Sequence, residues 1–248
     1  MIKRFFLQFF PLDSVTTSDL INIMFIQKNL HKKSPICINY ANVHSYITAK
    51  KNCQLKKALH TADIVYSDGW GIVLAAKLFG LPTPTRLTAY DFFPQFLQKA
   101  DSNKISLYLL GGTDKTIKKT TFMVKTHYPH IQIRGYHNGY IQTKKEEQRV
   151  IREINQKNID IVLIGMGTPK QELWTYINKQ KLKTNVIWCV GGLFNYLSGD
   201  VKHCPKWIGD RGFQWLWRLV HEPRRLWKRY LLELPQFFIY IMKAKFLS

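Results

Sequence analysis

The sequence predicts an α/β fold: a Rossmann-like, mostly parallel sheet flanked by helices, followed by a basic, aromatic-rich helical C-terminal appendage. Three observations carry this. Short apolar, β-branched runs alternate with segments of helical periodicity. Several of these runs end in glycine-containing turns, which a parallel sheet gathers at one rim. Beyond residue 204, tryptophans and cations crowd together. The expected division is an α/β domain over 1–204 and a helical appendage over 205–248. At 248 residues and 46% hydrophobic, the chain can bury a full core.

Each element has its reason. Residues 1–17 show no clear period and read as an irregular start. Ser18 can cap a helix over 19–30, with Leu20, Ile23, Met24, Ile26 and Leu30 on its apolar side. Residues 35–39 read as a buried strand leading into Tyr40, Ala41 and Asn42, then a helix bearing Val43, Tyr46, Ile47 and Ala49. A helix over 54–60 precedes the stretch that organises the chain, ADIVYSDGWGIVLAAKLFGLPTPTR at 62–86. There a strand (Ile64, Val65, Tyr66) turns at Ser67-Asp68-Gly69 into a helical pattern through Ile72, Val73, Ala76 and Phe79. Pro82 and Pro84 break the chain before Arg86, and a helix over 91–100 turns Phe92, Phe93, Phe96 and Leu97 inward. Strand 105–110, helix 115–127, strand 131–136, helix 144–158 and strand 159–164 make a βαβαβ unit, which implies parallel pairing with right-handed crossovers. Thr168 as N-cap, Pro169 as first helical residue and Glu172 beyond signal the next helix start. A last strand over 185–190 ends in Gly191-Gly192.

The formal net charge of +21 implies an anionic partner: nucleic acid, an anionic membrane surface or a phosphorylated substrate. Four of the seven tryptophans (Trp207, Trp215, Trp217, Trp227) lie among the C-terminal cations. Such interleaving suits a membrane interface, and it also suits stacking on single-stranded nucleic acid. Cys37, Cys53, Cys189 and Cys204 form no CxxC pair, so neither zinc nor a disulfide framework is indicated, and a reducing, cytoplasmic setting fits. The apolar part of MIKRFFLQFFPLDS is too short for a signal peptide. No run is long enough to span a bilayer; residues 237–242 could lie on a membrane but not cross it.

Asp68 follows a strand and opens a helix, the place where open α/β sheets bind ligands. It can cap that helix or act as a catalytic acid or base, and both readings stand. Gly165–Lys170 lacks the third glycine of GxGxxG, and no GxxxxGK[ST] occurs. What remains for a phosphate is backbone N–H groups at the turns. Taken singly, Gly111-Gly112 and Gly191-Gly192 are ordinary tight turns; together at one rim they favour binding. With no Asp-x-Asp pair, charge on a leaving diphosphate would be met by Arg, Lys and backbone dipoles, with no metal and no cofactor expected. Arg86 is best placed for this, unless it is a solvated surface cation. HExxH and GxSxG are absent, and the histidines lack metal-ligand spacing.

The ordered series Asn42 before a helix, SDGWGIVLAAKLFG, Arg86 with TAYDFFP, LLGG, GYHNGY, IGMGTPKQE, VGGLFNYLSG, Pro205–Trp207 and WLWRLVHEPRRLWKRYL resembles the WecG/TagA/CpsF family of bacterial glycosyltransferases. The resemblance runs from about Ile36 to Leu231. It implies inverting, metal-independent transfer of a hexose or N-acetylhexosamine, such as N-acetylmannosamine or its uronic acid. The donor would be a UDP-sugar and the acceptor a polyprenyl-diphosphate-linked sugar, in cell-surface polysaccharide synthesis. It further implies Asp68 as the base, Asn42 and Gln171 as holders of sugar hydroxyls, Arg86 at the diphosphate, and Tyr140 and Asn195 at the nucleoside, with the Gly111-Gly112 turn as a further substrate contact. Tyr40 stands where the family commonly has Thr, which reshapes the sugar pocket; Gln214 replaces a usual Glu, and Asn195 a frequent Asp. Arg218, Arg224, Arg225, Lys228 and Arg229 would meet headgroups or the lipid diphosphate, and Trp215, Trp217, Trp227 and Tyr230 would sit at headgroup level. The protein would then lie peripherally on the inner face of the bacterial plasma membrane, with a second copy of the chain as a further candidate partner and no role for nucleic acid. Two alternatives are a basic nucleic-acid-binding α/β protein and a non-catalytic scaffold of a polysaccharide-assembly complex.

Overall fold

Six short segments rich in Ile, Val and Leu pair into one parallel sheet, and this sheet sets the position of everything else. The computed structural model describes residues 2–29, 34–82 and 85–246. Leu30 and Pro84, assigned above to a helix and a chain break, lie outside them. In chain order the elements are β1 (Lys3–Leu7), β2 (Phe10–Ser14), α1 (Thr17–Asn29), β3 (Ile36–Ala41), α2 (Val43–Lys51), α3 (Cys53–His60), β4 (Ile64–Ser67), α4 (Trp70–Leu78) and α5 (Ala89–Ser102). There follow β5 (Ser106–Gly111), α6 (Asp114–His127), β6 (Gln132–His137), α7 (Lys144–Gln156), β7 (Ile161–Gly165), α8 (Lys170–Asn178), a 3-10 turn (Lys179–Lys181), β8 (Val186–Cys189) and α9 (Leu193–Leu197). The chain ends with α10 (Lys206–Asp210), α11 (Gln214–His221), α12 (Pro223–Trp227), a π-helical stretch (Lys228–Glu233) and α13 (Leu234–Phe246).

The sheet order is β4-β3-β8-β7-β5-β6, with every pairing parallel. The expected βαβαβ unit is present as β5-α6-β6-α7-β7, with β5 between its partners. Strands buried on both faces read as continuous apolar runs, as β5 and β8 do. Helices cover both faces: Phe92, Phe93 and Phe96 of α5 pack on Trp188 of β8 on one side, and Val150, Ile151 and Ile154 of α7 pack with Tyr108 and Val162 on the other. Because all six strands run the same way, their carboxyl ends form one rim.

The amino-terminal expectation was wrong. Residues 3–14 form an antiparallel hairpin, β1-β2, rather than an irregular start. Its inward side chains, Phe5, Leu7, Phe10 and Leu12, are buried, but Pro11 and Asp13 interrupt the alternation that marks a strand. Asp13 is the reason for the exception. Its carboxylate is fully buried and accepts from Arg4 Nε (2.9 Å) and from the N–H of Val65 (2.7 Å) on β4. Arg4 also donates to the Ala62 carbonyl at 2.9 Å. The hairpin thereby covers an edge strand that would otherwise present unpaired backbone.

Two helix starts also differ. Thr16, not Ser18, caps α1, its hydroxyl accepting from the Asp19 N–H (3.2 Å) while Asp19 accepts from the Thr16 N–H (2.9 Å). Thr168 does not cap α8; the cap position is Pro169, and the Thr168 hydroxyl donates to Glu172 Oε1 at 2.8 Å. Elsewhere the expected elements are present, with bounds shifted by at most two residues.

From Pro223 to Phe246 the chain is one unbroken helical rod. Its Phe237 and Ile241 are fully buried among Phe10, Tyr46 and Ile72, with Phe237 edge-on to Tyr46 at 5.0 Å. His44 Nδ1 and Glu233 Oε2, 2.7 Å apart, tie the π-helical stretch to α2. Among the described residues, no helix is long and apolar enough to cross a membrane.

Replacing Asp13 with Ala leaves the Arg4 guanidinium and the Val65 N–H without their shared acceptor. A loss of about 3 kcal/mol in urea unfolding is expected. A loss within error of zero would show that the hairpin is held by its apolar side chains alone.

Candidate active site

The site begins where β4 ends. The Asp68 N–H donates to the Ala41 carbonyl at 2.7 Å, carrying the β3–β4 ladder one residue past the strand. Gly69 then turns the chain at φ +93°, a region that favours glycine, and α4 starts at Trp70. Gly69 holds the cap position and no side chain caps the helix, so the Asp68 carboxylate is not spent on capping.

Asn42 faces it from the end of β3. The Asn42 Oδ1 accepts from the Ser45 N–H at 2.9 Å, and the Asn42 N–H donates to Ser45 Oγ at 2.8 Å, a reciprocal cap that opens α2. With Oδ1 taken, the amide nitrogen is left to donate to Asp68. Burial raises the Asp68 carboxyl above its ordinary value; the Arg218 guanidinium, the Asn42 and Thr88 side chains and Arg86 pull it back only in part.

Two cavities meet at this carboxylate. One, of about 140 Å³, is walled by Trp70, Trp215, Tyr230 and Leu234. The other, of about 130 Å³, is walled by Tyr40, Thr168, Gly191, Gly192, Tyr196 and Arg225. Asn42, Asp68, Gln214, Arg218 and Arg229 line both. A third recess, of about 470 Å³, holds Arg86, Tyr90, Asp91 and His203 and also reaches Gln214. Arg86 is not a solvated surface cation. It donates to Thr88 Oγ1 at 3.1 Å and to Asp91 Oδ2 at 3.2 Å, and its guanidinium lies 5.8 Å from the Trp70 ring.

The wall at β8 is held by a buried polar chain. Tyr40 Oη lies 3.4 Å from Thr168 Oγ1, and Thr168 donates to Glu172. Gln171 Nε2 donates to the same Glu172 oxygen at 2.9 Å, while Gln171 Oε1 accepts from the Gly191 N–H at 3.1 Å. A side chain on Gly191 would begin 2.5 Å from the Tyr40 hydroxyl, so this turn admits only glycine. Burial raises both the Tyr40 phenol and the Glu172 carboxyl.

The structure therefore divides the residues singled out from the sequence. Asp68, Tyr40, Asn42, Arg218, Arg225 and Arg229 converge on the paired cavities, with Arg86 one recess away. Gln171 is fully buried with both ends of its amide engaged, so it acts on the cavity through Gly191. Gly111 and Gly112 pack turn against turn: a side chain on Gly111 would begin 2.4 Å from the Gly165 carbonyl oxygen. Tyr140, 61% exposed beside Lys170, and Asn195, in α9, stand on the same rim outside the cavities around Asp68. Arg224 is exposed and lines neither cavity.

Sequence reasoning missed Thr88, Thr168, Glu172 and Tyr196 as parts of the site. Thr88 had a signal, a hydroxyl two residues past Arg86 at the start of a helix; Thr168 and Glu172 were read only as a helix start. Among the described residues, no group of three or more His, Cys, Asp or Glu gathers that could hold a metal ion.

Residues 7–248 match the Glycosyl transferase WecG/TagA/CpsF family. The chain is 32% identical over 203 residues to the N-acetylglucosaminyldiphosphoundecaprenol N-acetyl-beta-D-mannosaminyltransferase of Bacillus spizizenii, covering 82% of this chain and 77% of that one. It is 28% identical over 241 residues to the protein of that name from Bacillus subtilis (92% of each chain). For the Staphylococcus aureus MW2 protein of that name the identity is 27% over 213 residues (86% of this chain, 78% of that one).

A carboxyl whose folded-state pKa is raised binds its proton more tightly folded than unfolded, so its ionisation weakens the fold as pH rises through that raised value. Asp68→Asn is therefore expected to raise the melting temperature at neutral pH, with the gain vanishing below the ordinary carboxylate range. Arg218→Gln removes the largest opposing charge and should move the Asp68 titration, read by carbon-13 NMR, to higher pH. An unmoved titration would take Arg218 out of this role.

Proposed function

We propose that this chain, which belongs to the WecG/TagA/CpsF family of glycosyltransferases, moves N-acetylmannosamine or a related acetamido hexose from a UDP-sugar to a polyprenyl-diphosphate-linked sugar, with Asp68 as general base. The relatives' names, which specify N-acetylmannosaminyl transfer to N-acetylglucosaminyl-diphospho-undecaprenol, support this donor sugar and acceptor. The single observation that carries the mechanism is the Asp68 carboxylate, raised by burial, at the junction of two cavities lined by arginines.

In this reading the acceptor sugar enters from the tryptophan-walled cavity and the donor from the other. Asp68 accepts the proton of the attacking hydroxyl, oriented by Asn42 and Thr88. The acceptor oxygen bonds to the anomeric carbon as the bond to the diphosphate breaks on the opposite face, which inverts the centre. The bonding pair leaves with the UDP oxygen, and Arg218, Arg225 and Arg229 meet the charge that develops there. Tyr40 shapes the sugar pocket, and Gln171 holds its Gly191 wall. Arg86 adds positive charge and fixes Thr88; Gly111, Gly112, Tyr140 and Asn195 serve the nucleotide end. This mechanism assigns no step to a metal.

The proposed division is a catalytic part over 1–204 and a membrane-associating part over 205–248. Trp207, Phe213, Val220, Trp227, Leu231 and Leu232 are exposed there, beside the exposed cations Arg224 and Lys228. Such a surface supports peripheral binding to the inner face of the plasma membrane.

The test is transfer from UDP-N-acetylmannosamine to a short-chain prenyl-diphospho-N-acetylglucosamine, with and without EDTA. Asp68→Asn should lower kcat by about a thousandfold, the scale of general-base catalysis, while UDP binding by calorimetry is unchanged. Full activity of the variant would remove Asp68 from the base role, and loss of transfer with EDTA would overturn the metal-free reading.

A further inference from the structure

Helix α4 has a face that its own fold does not use. Ile72, Ala75 and Ala76 are buried against the sheet. On the outer side stand Trp70, Leu74 and Leu78, spaced by four and therefore on one stripe, with exposures of 42%, 46% and 46%. Lys77 is the single charged residue in the helix. A surface helix ordinarily turns a polar face to water, and a contiguous exposed apolar stripe marks an interaction site.

Contacts at each end show what the stripe joins. At the start of α4, the Trp70 ring lies 3.6 Å from where a side chain on Gly212 would begin, and Phe213, the next residue, is 51% exposed. Trp70 also walls the cavity that holds Asp68. At the far end, the Lys245 ammonium lies 5.7 Å from the Phe79 ring, and Phe246 beyond it is 80% exposed. The stripe, with the exposed Phe213 and Phe246 of the C-terminal segment near its two ends, makes one band, with Lys77 on α4 and Lys245 at the Phe79 end as its cations.

We infer that the outer face of α4 is a lipid-contacting surface, which seats the catalytic part itself in the headgroup region of an anionic bilayer beside the mouth of the Asp68 cavity. The occupant is a membrane because the band is bordered by cations, α4 carries no carboxylate, and the chain as a whole is strongly basic. The inference rests on the lipid-linked acceptor proposed above and extends membrane contact from the C-terminal segment to the α/β part. A helix that begins two residues past the base and lies on the bilayer keeps the acceptor diphosphate level with the arginines while its prenyl chain stays in lipid.

The test compares binding to vesicles of phosphatidylglycerol and phosphatidylcholine for the full chain, the double variant Leu74→Gln/Leu78→Gln, and Phe122→Gln on α6. Phe122, 73% exposed and outside the band, controls for loss of any exposed apolar group. Cosedimentation should weaken by about tenfold or more for the double variant, because two leucines no longer leave water, and stay unchanged for the control. Transfer to the water-soluble short-chain acceptor should be unchanged in both. A fluorophore on Leu78→Cys, in a Cys53→Ala background, should shift to the blue on vesicle addition and be quenched by brominated lipid. Unchanged vesicle binding of the double variant, or an unshifted fluorophore, would overturn the inference. So would a double variant that loses only self-association in light scattering, which would assign the stripe to a second copy of the chain. Failure of the unaltered protein to use the short-chain acceptor would count against the proposed reaction and leave the vesicle comparison readable.

Discussion

A carboxylate held partly out of water at the end of β4 sets the terms for the rest of the molecule. Desolvation makes the charged form of Asp68 costly, and the surroundings offset that cost only in part. Each offsetting group needs its own support. Asn42 is oriented by the cap it gives α2, Arg86 is tied to Asp91 and Thr88, and Arg218 arrives from a helix more than a hundred residues away. Fuller compensation would stabilise the protein and lower the proton affinity of this carboxylate, the property on which the proposed base role rests.

The C-terminal segment completes the electrostatics of the site. Its rod is anchored by Phe237 and Ile241 in the same core as the amino-terminal hairpin, and by the His44–Glu233 pair next to the cavity. That anchoring lets α11, α12 and the π-helical stretch bring Arg218, Arg225 and Arg229 over the sheet rim. Glu222 holds Arg225 and lies 4.0 Å from Arg218, so two of the three cations are positioned before any substrate arrives. Preorganised charge costs no reorganisation during the reaction.

The opposite wall depends on packing with almost no tolerance. Tyr40, Thr168, Glu172, Gln171 and Gly191 form one relay of hydrogen bonds, and Gly191 has no room for a side chain against Tyr40. The Tyr40 hydroxyl fills the space in front of the Gly191 turn, which has no side chain to compete for it. The cavity wall is thus a matched pair, which makes Tyr40 a residue of pocket shape.

Much of this was legible in the sequence, for local reasons. β-branched runs ending in glycine specified parallel strands with their turns at one rim, and SDGWG placed Asp68 at a strand-to-helix junction. The hairpin over residues 3–14 was not legible, because a buried Asp and a Pro break its alternation, and their value lies in capping a distant strand edge. Local pattern likewise left Asp68 open between helix cap and base. Only the tertiary structure shows that Gly69 takes the cap position, which frees Asp68 from the cap, and which side chains surround the carboxylate. The sequence by itself determined the fold class, the family and the residue types of the site. The tertiary structure decided which of those residues share a cavity, that Gln171 works from behind its wall, and that the C-terminal arginines close over it. Periodicity and turn chemistry are written in neighbouring residues, whereas burial and charge pairing are set by residues far apart in the chain.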